Sequence, residues 1–212
     1  MYLPKHFAEP RVDVMHALLR AYPLATLVTL TPDGPDANLV PLHLSPDPAP
    51  FGTLRGHVAR ANPLWRDHAP ETDVLAIFRG PQTYVSPSWY PTKAETGRVV
   101  PTWNYAVVHA RGRLQVVDDP ARLRAHLEAL TAQQEARFSS PWAVSDAPAD
   151  HVDKLIGAIV GIEIVVTRLE GKWKTSQNQP RQNQAGVVSA LRVLGDDEAV
   201  RMAALVGQHL NL

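Results

Sequence analysis

With 212 residues, 45% hydrophobic and 20% charged, the chain has the size and composition of a soluble globular protein with one sizeable core. Lysine plus arginine equal aspartate plus glutamate at 21 each, so no overall basic excess points to a dedicated nucleic-acid-binding module. The absence of cysteine excludes disulfides, thiolate metal sites and cysteine nucleophiles together, and is compatible with a cytoplasmic protein. The opening MYLPKHFAEPR lacks the apolar stretch of a secretory signal. No run approaches the roughly 20 apolar residues that a membrane-spanning helix needs.

Residues 9–22 predict a helix: Pro10 suits its first turn, Val12, Met15, Leu18, Leu19 and Tyr22 recur at helical spacing, and Pro23 follows. The period then changes. Leu24–Thr31 is rich in β-branched residues, Pro32, Asp33, Gly34 and Pro35 make a turn, and residues 36–44 return, giving a hairpin. Pro41 implies an edge or a bulge in the second strand. A strand over 51–58 runs into Asn62 and Pro63, a helix cap and first helical residue. A short buried strand follows at 73–78, and further strands at 83–86 and 104–117, where Gly112 suggests a bulge. Residues 120–137 form the clearest helix, with Leu123, Leu127, Leu130 and Gln134 along one side. After a loop over 138–150 come a short helix at 151–159 and a strand at 161–169. A polar irregular stretch spans 171–184, and closing helices span 185–194 and 196–210. Strands early and helices around one late strand do not alternate as in a doubly wound sheet. An antiparallel barrel, mainly β with peripheral helices (α+β), fits better.

Three stretches carry candidate chemistry. In YVSPSWYPTKAETGRVVPTWNYAVVH, residues 84–109, Tyr84, Trp89, Tyr90, Trp103 and Tyr105 alternate with Ser86, Ser88, Thr102 and Asn104. Large faces with polar tips suit a planar ligand with polar edges, or equally a surface loop over a barrel end. In RGHVARANPLW, residues 55–65, Arg55, His57 and Arg60 crowd a strand-to-helix junction. Guanidinium, imidazole and free helix amides suit a phosphate; the alternative is a surface turn whose cations pair with Asp67 or Glu71. In GKWKTSQN, residues 171–178, Lys172 and Lys174 straddle Trp173, and Ser176, Gln177 and Asn178 offer donors and acceptors to a heterocycle edge, or to solvent. Absent motifs narrow the field. No HExxH or HxH supports a metal site, no GxSxG a hydrolase elbow, and no GxGxxG or GxxxxGK[ST] a Rossmann or P-loop nucleotide site. His109 reads as a packed strand residue.

Taken in order, MYLPKHF, GHVARANPLW, TYVSPSWYP, VPTWNYAVVHARG and GIEIVVTRLEGKWKTSQNQP resemble the PaiB family, FMN-binding negative transcriptional regulators, across nearly the whole chain. The resemblance implies an antiparallel split β-barrel of the FMN-binding type, related to pyridoxamine phosphate oxidase. It implies a single domain over 1–212 with a helical extension from about 180, and a homodimer with FMN in clefts at the subunit interface. On that resemblance, Arg55, His57, Arg60 and Asn62 serve the phosphate and ribityl end. Asn38, Val40 and Pro41 present backbone groups to the ring edge. Ser86, Trp103 and Asn104 flank the flavin, and Lys174, Ser176, Gln177 and Asn178 reach across the dimer. One departure stands in QPRQNQAGV, which lacks the acidic residue expected before its glycine. Two functions follow: a cytoplasmic repressor, or a flavin-dependent oxidoreductase acting on a small molecule at the same FMN site, for which the sequence names no catalytic residue. Direct DNA contact draws little support, since the second closing helix begins Asp196, Asp197, Glu198, whose charges repel phosphate.

Overall fold

The computed structural model describes residues 1–210. In chain order they form β1 (Ala8–Glu9), α1 (Val12–Ala21), β2 (Leu24–Thr31), β3 (Gly34–Pro41), β4 (His43–Ser45), β5 (Thr53–Ala59), α2 (Leu64–Asp67) and β6 (Val74–Val85). Then follow α3 (Thr92–Thr96), β7 (Thr102–Val117), α4 (Pro120–Glu135), α5 (Ala149–Gly157), β8 (Ile159–Lys174), α6 (Arg181–Leu194) and α7 (Asp197–Gly207). The strands make one sheet in the order β3-β2-β6-β7-β8-β5-β4, with β1 pairing β8 in addition. This is the expected mixture of an antiparallel split barrel and helices. Among the described residues no helix is long and apolar enough to cross a membrane.

The hairpin forms as the sequence predicts, in unbroken register from Leu24 opposite Pro41 to Thr31 opposite Gly34. Gly34 closes the turn at φ 113°, a region side-chain-bearing residues rarely enter. Pro41 ends β3, an edge strand, where a missing N–H is tolerated. Other predicted boundaries move for local reasons. Residues 8–9 are not helical but pair with Lys172 and Gly171. Glu9 there accepts both the backbone N–H of Arg11 at 3.0 Å and its guanidinium at 2.6 and 2.8 Å, which holds its carboxyl below the usual range. The return strand breaks at Leu42, whose N–H donates to the Pro23 carbonyl at 2.8 Å. Segments 73–78 and 83–86 are one strand, because Gly80 and Pro81 continue extended rather than turning. β8 runs on to Lys174, and α6 begins at Arg181, so only residues 175–180 of the predicted irregular stretch lie between elements.

Contacts divide the chain into two units: Met1–Leu18, Arg79–Val108 and Glu170–Leu212 in the first, Leu19–Phe78 and His109–Leu169 in the second. The second unit buries Ala25, Leu27, Leu54, Phe78, Ile162 and Ile164 almost completely. A satellite core of Leu123, Val144, Val152 and Ile156 joins α4 and α5. Asp119 caps α4 by accepting the Arg122 N–H at 2.8 Å. The other face of its hairpin breaks the usual polar-out rule. Leu24, Leu30 and Leu39 are 57%, 44% and 66% exposed. Register places Leu39 opposite Thr26, Ala37 opposite Val28, and Leu75 and Ile77 on the next strand. In the first unit, α6 and α7 pack Val187, Val188, Leu191, Met202 and Val206 against Val85 and Tyr90. Asp196 caps α7 through the Ala199 N–H at 2.8 Å, and Glu198 accepts the Gln82 N–H at 2.9 Å.

Candidate functional site

The candidate residues fall into two groups, one in each unit. In the second unit, alternation along β5 buries Leu54 and Val58 and turns Arg55 and His57 to the other face. Arg55 Nε donates to Glu163 at 3.0 Å, and Arg122, from α4, donates to the other oxygen of the same carboxylate at 2.7 Å. Two guanidiniums share one carboxylate, which leaves local positive charge. With His43 and His126 they line a hollow of about 160 Å³. Arg122 escaped the sequence reading because its link to Arg55 runs through Glu163, far away in the chain.

His57 Nδ1 lies 3.2 Å from His126 Nε2. Burial lowers the pKa of His57; burial first, then the charges of His57, His43 and Arg55, pull His126 down to about 4. Both rings are therefore neutral near pH 7, one donating and the other accepting. Arg60 is committed elsewhere: it donates to both Asp118 oxygens at 2.6 and 3.0 Å and to the carbonyls of Gly157 and Ile159 at 2.9 and 3.0 Å. The cations thus pair with Glu163 and Asp118 rather than with Asp67 or Glu71. Asn62 acts as a local cap, accepting the Leu64 N–H at 2.9 Å and donating to Asn38 at 3.0 Å. The helix behind it has only four residues. The Val40 side chain is buried in the core, while Pro41 is exposed.

In the first unit, Asn104 and Ser176 come together. Asn104 is 1% exposed; its Nδ2 donates to Ser176 Oγ at 2.9 Å, while its Oδ1 is buried without a partner. An unpaired buried acceptor costs on the order of 1–3 kcal/mol, so its retention is informative. Ser176 itself adopts φ 65°, the left-handed region, at a cost of roughly 1 kcal/mol or more for a residue other than glycine. Strain of this kind has no sequence signature. Beside Asn104 in β7, Trp103 is 55% exposed, and Tyr84 meets its ring edge-on at 6.0 Å. Lys174 Nζ donates to the Trp103 carbonyl at 2.8 Å and to Thr102, and burial lowers its pKa. Gln177 is turned onto its own loop, accepting the Thr175 N–H at 2.7 Å and donating to the Trp173 carbonyl. Asn178 is exposed, and Ser86 caps a short turn by accepting the Ser88 N–H at 3.2 Å. Thr175 hydrogen-bonds His209 at 2.8 Å, a link that the sequence did not suggest.

The two groups thus offer, separately, an anion-compatible hollow and an exposed aromatic face, with a buried unpaired carbonyl on the opposite side of β7. The sequence profile of the family described as "Putative FMN-binding domain" matches residues 1–168. An uncharacterized protein of Emericella nidulans is 35% identical over 97% of this chain and 96% of its own length. The Bacillus subtilis protein named "Protease synthase and sporulation protein PAI 2" is 28% identical over 99% of this chain and 98% of its own. Among solved structures, the FAD and heme binding protein from Mycobacterium smegmatis shares the fold with a TM-score of 0.58 at 16% identity, covering 79% of this chain and 73% of that one. The chain belongs to the PaiB family of FMN-binding split-barrel proteins.

Proposed function

We propose that this FMN-binding chain is a homodimeric, cytoplasmic negative regulator of transcription whose activity depends on its flavin. The observation that carries this reading is the end-to-end similarity to PAI 2, whose name ties it to protease synthesis and sporulation. That similarity continues past residue 168, where the FMN-binding profile stops, into the segment holding Lys174–Asn178, α6 and α7. The acidic start of α7 is engaged in capping and in the Gln82 contact, so α6 and α7 do not supply a basic recognition helix. Regulation then works through another surface of the dimer. The test is binding of the FMN-loaded protein to its own promoter duplex across a salt series. A specific site that outcompetes random duplex, with affinity falling steeply with salt, supports direct repression. A flat response with no preferred sequence sinks it.

FMN carries a phosphate, a ribityl chain and a flat tricycle with a hydrogen-bonding edge. Arg55, supported by Arg122, suits the phosphate better than Arg60, whose donors already serve Asp118 and two carbonyls. Arg55→Ala is expected to weaken FMN at least tenfold more than riboflavin, which lacks the phosphate; equal losses would reject this anchor. The exposed Trp103 ring, with Tyr84 at its edge, suits the flat surface of the flavin, while Asn104 projects to the opposite, buried face of β7. Trp103→Ala is expected to weaken FMN and riboflavin alike.

The apolar hairpin face, with Leu24, Leu30 and Leu39 exposed, supports a second copy of the chain as its cover. Leu39→Glu is expected to shift the purified protein from dimer to monomer in a column-mass measurement. An unshifted dimer would place the interface elsewhere.

A second reading, a flavin-dependent oxidoreductase, is favoured by the neutral, half-buried His57, whose Nδ1 is held by His126 and whose other ring nitrogen is left to exchange a proton with a reacting group. It requires repeated reduction of bound flavin by NADH or NADPH and reoxidation by an acceptor. A single stoichiometric reduction counts against it.

A further inference from the structure

A cavity of about 590 Å³ lies in the second unit between the end of β5 and the α4–α5 helices. Its apolar walls include Leu127, Trp142, Val152, Leu155 and Ile159; its polar groups are His57, Thr131 and His151. Among the described residues it has no lysine, arginine, aspartate or glutamate in its lining. The volume lies within the range of sites for one small organic molecule, and a mostly apolar lining with a few polar groups is their usual composition. The walls continue the satellite core: Val152 belongs to it, and Leu127 and Ile159 pack against it only partly buried, with apolar surface left facing the cavity.

The lining also decides the ligand's charge. A phosphate here would be desolvated with no cationic side chain beside it, apart from what an imidazole could gain by protonation. Burial holds His57 in its neutral form, and its Nδ1 is already engaged by His126. This leaves one imidazole nitrogen of His57 to hydrogen-bond an uncharged group. The cavity differs in this from the Arg55–Arg122 hollow, which carries the charge that a phosphate requires.

We infer that the cavity between β5 and the α4–α5 helices is a binding site for a neutral, largely apolar ring compound with one hydrogen-bonding group, separate from the FMN phosphate site. Such a ligand would be an effector of the regulator or a substrate of an oxidoreductase. The inference depends on neither reading.

The probe is 2-naphthol, a flat neutral molecule with one hydroxyl, measured by equilibrium dialysis against the full-length FMN-loaded protein. Its anionic counterpart is 2-naphthoate. The expected result is saturable binding of one 2-naphthol per chain, with 2-naphthoate at least tenfold weaker. Thr131→Trp, which fills the cavity, and Leu155→Glu, which puts a charge at its half-exposed wall, are each expected to weaken 2-naphthol at least fivefold. Leu155 is 52% exposed, so that variant keeps the fold even if the tryptophan does not fit; circular dichroism and retained FMN check both. Non-saturable binding, preference for the anion, or indifference to Leu155→Glu in a folded protein would overturn the proposal. So would competition between FMN and 2-naphthol in the apoprotein, because the cavity would then be part of the flavin site.

Discussion

A Gly112→Ala chain is expected to be destabilised by about 3 kcal/mol, the upper part of the range for overpacking a rigid site. Gly112 lies inside β7, which runs uninterrupted there, so the predicted bulge is instead a close approach of two backbones. A Cβ at this position would fall 2.0 Å from the Val165 carbonyl oxygen and 2.9 Å from its carbonyl carbon. Neither atom is a flexible side-chain end. Relief requires moving β8 away from β7 in the middle of the sheet, where Ile162 and Ile164 are nearly fully buried. Urea unfolding monitored by tryptophan fluorescence measures the cost. A midpoint shift worth less than about 0.5 kcal/mol, the size typical of an ordinary surface substitution, would mean that the strands give way there.

Acidification from pH 7 to 4 is expected to cost the folded state about 3 kcal/mol through His126 alone. The ring is 7% exposed, and its pKa falls from an ordinary 6.5 to about 4 on folding. Above pH 6.5 the ring is neutral in both the folded and the unfolded chain, and the fold keeps its full stability. Below that, the unfolded chain takes up a proton that the folded one refuses, so stability falls until pH approaches 4, where the folded ring also protonates. His57 is lowered by burial too and pushes in the same direction. Urea midpoints at pH 7, 5.5 and 4 test this against His126→Gln, which cannot titrate in this range. The variant should lose much less stability than the parent over the interval. Parallel pH profiles would show that other groups govern acid unfolding.

What the sequence discloses depends on how local the cause is. The β2–β3 hairpin is legible because Pro32, Asp33, Gly34 and Pro35 punctuate two apolar runs; β2 keeps its predicted limits, while the turn narrows to Pro32 and Asp33 and the return strand ends at Pro41. α4 is legible from Pro120 at its start and the spacing of Leu123, Leu127 and Leu130, while its Asp119 cap is disclosed by the structure. The sequence predicts two strands, at 73–78 and 83–86, where the structure has the single strand β6 running through Gly80 and Pro81. Only packing discloses that Gly80 lets the strand pass Leu18 and Ala106, where a Cβ would lie 2.9 Å from the leucine side chain. At the candidate site, residue chemistry identified Arg55, His57, Asn104 and Ser176, but not what each touches. The sharing of Glu163 by Arg55 and Arg122 joins residues distant in the chain. The commitment of Arg60 to Asp118 is equally non-local, and the left-handed backbone of Ser176 is a local geometry that serine does not announce.

The most direct test is titration of the purified apoprotein with FMN, followed by tryptophan fluorescence, with column mass determined alongside. Trp103, 55% exposed, should report the ring. Saturable quenching at one FMN per chain on a dimer, weakened at least tenfold by Arg55→Ala, is the predicted result. A folded protein that shows no saturable FMN binding would contradict it, and would mean that the chain keeps the family's fold without its cofactor site.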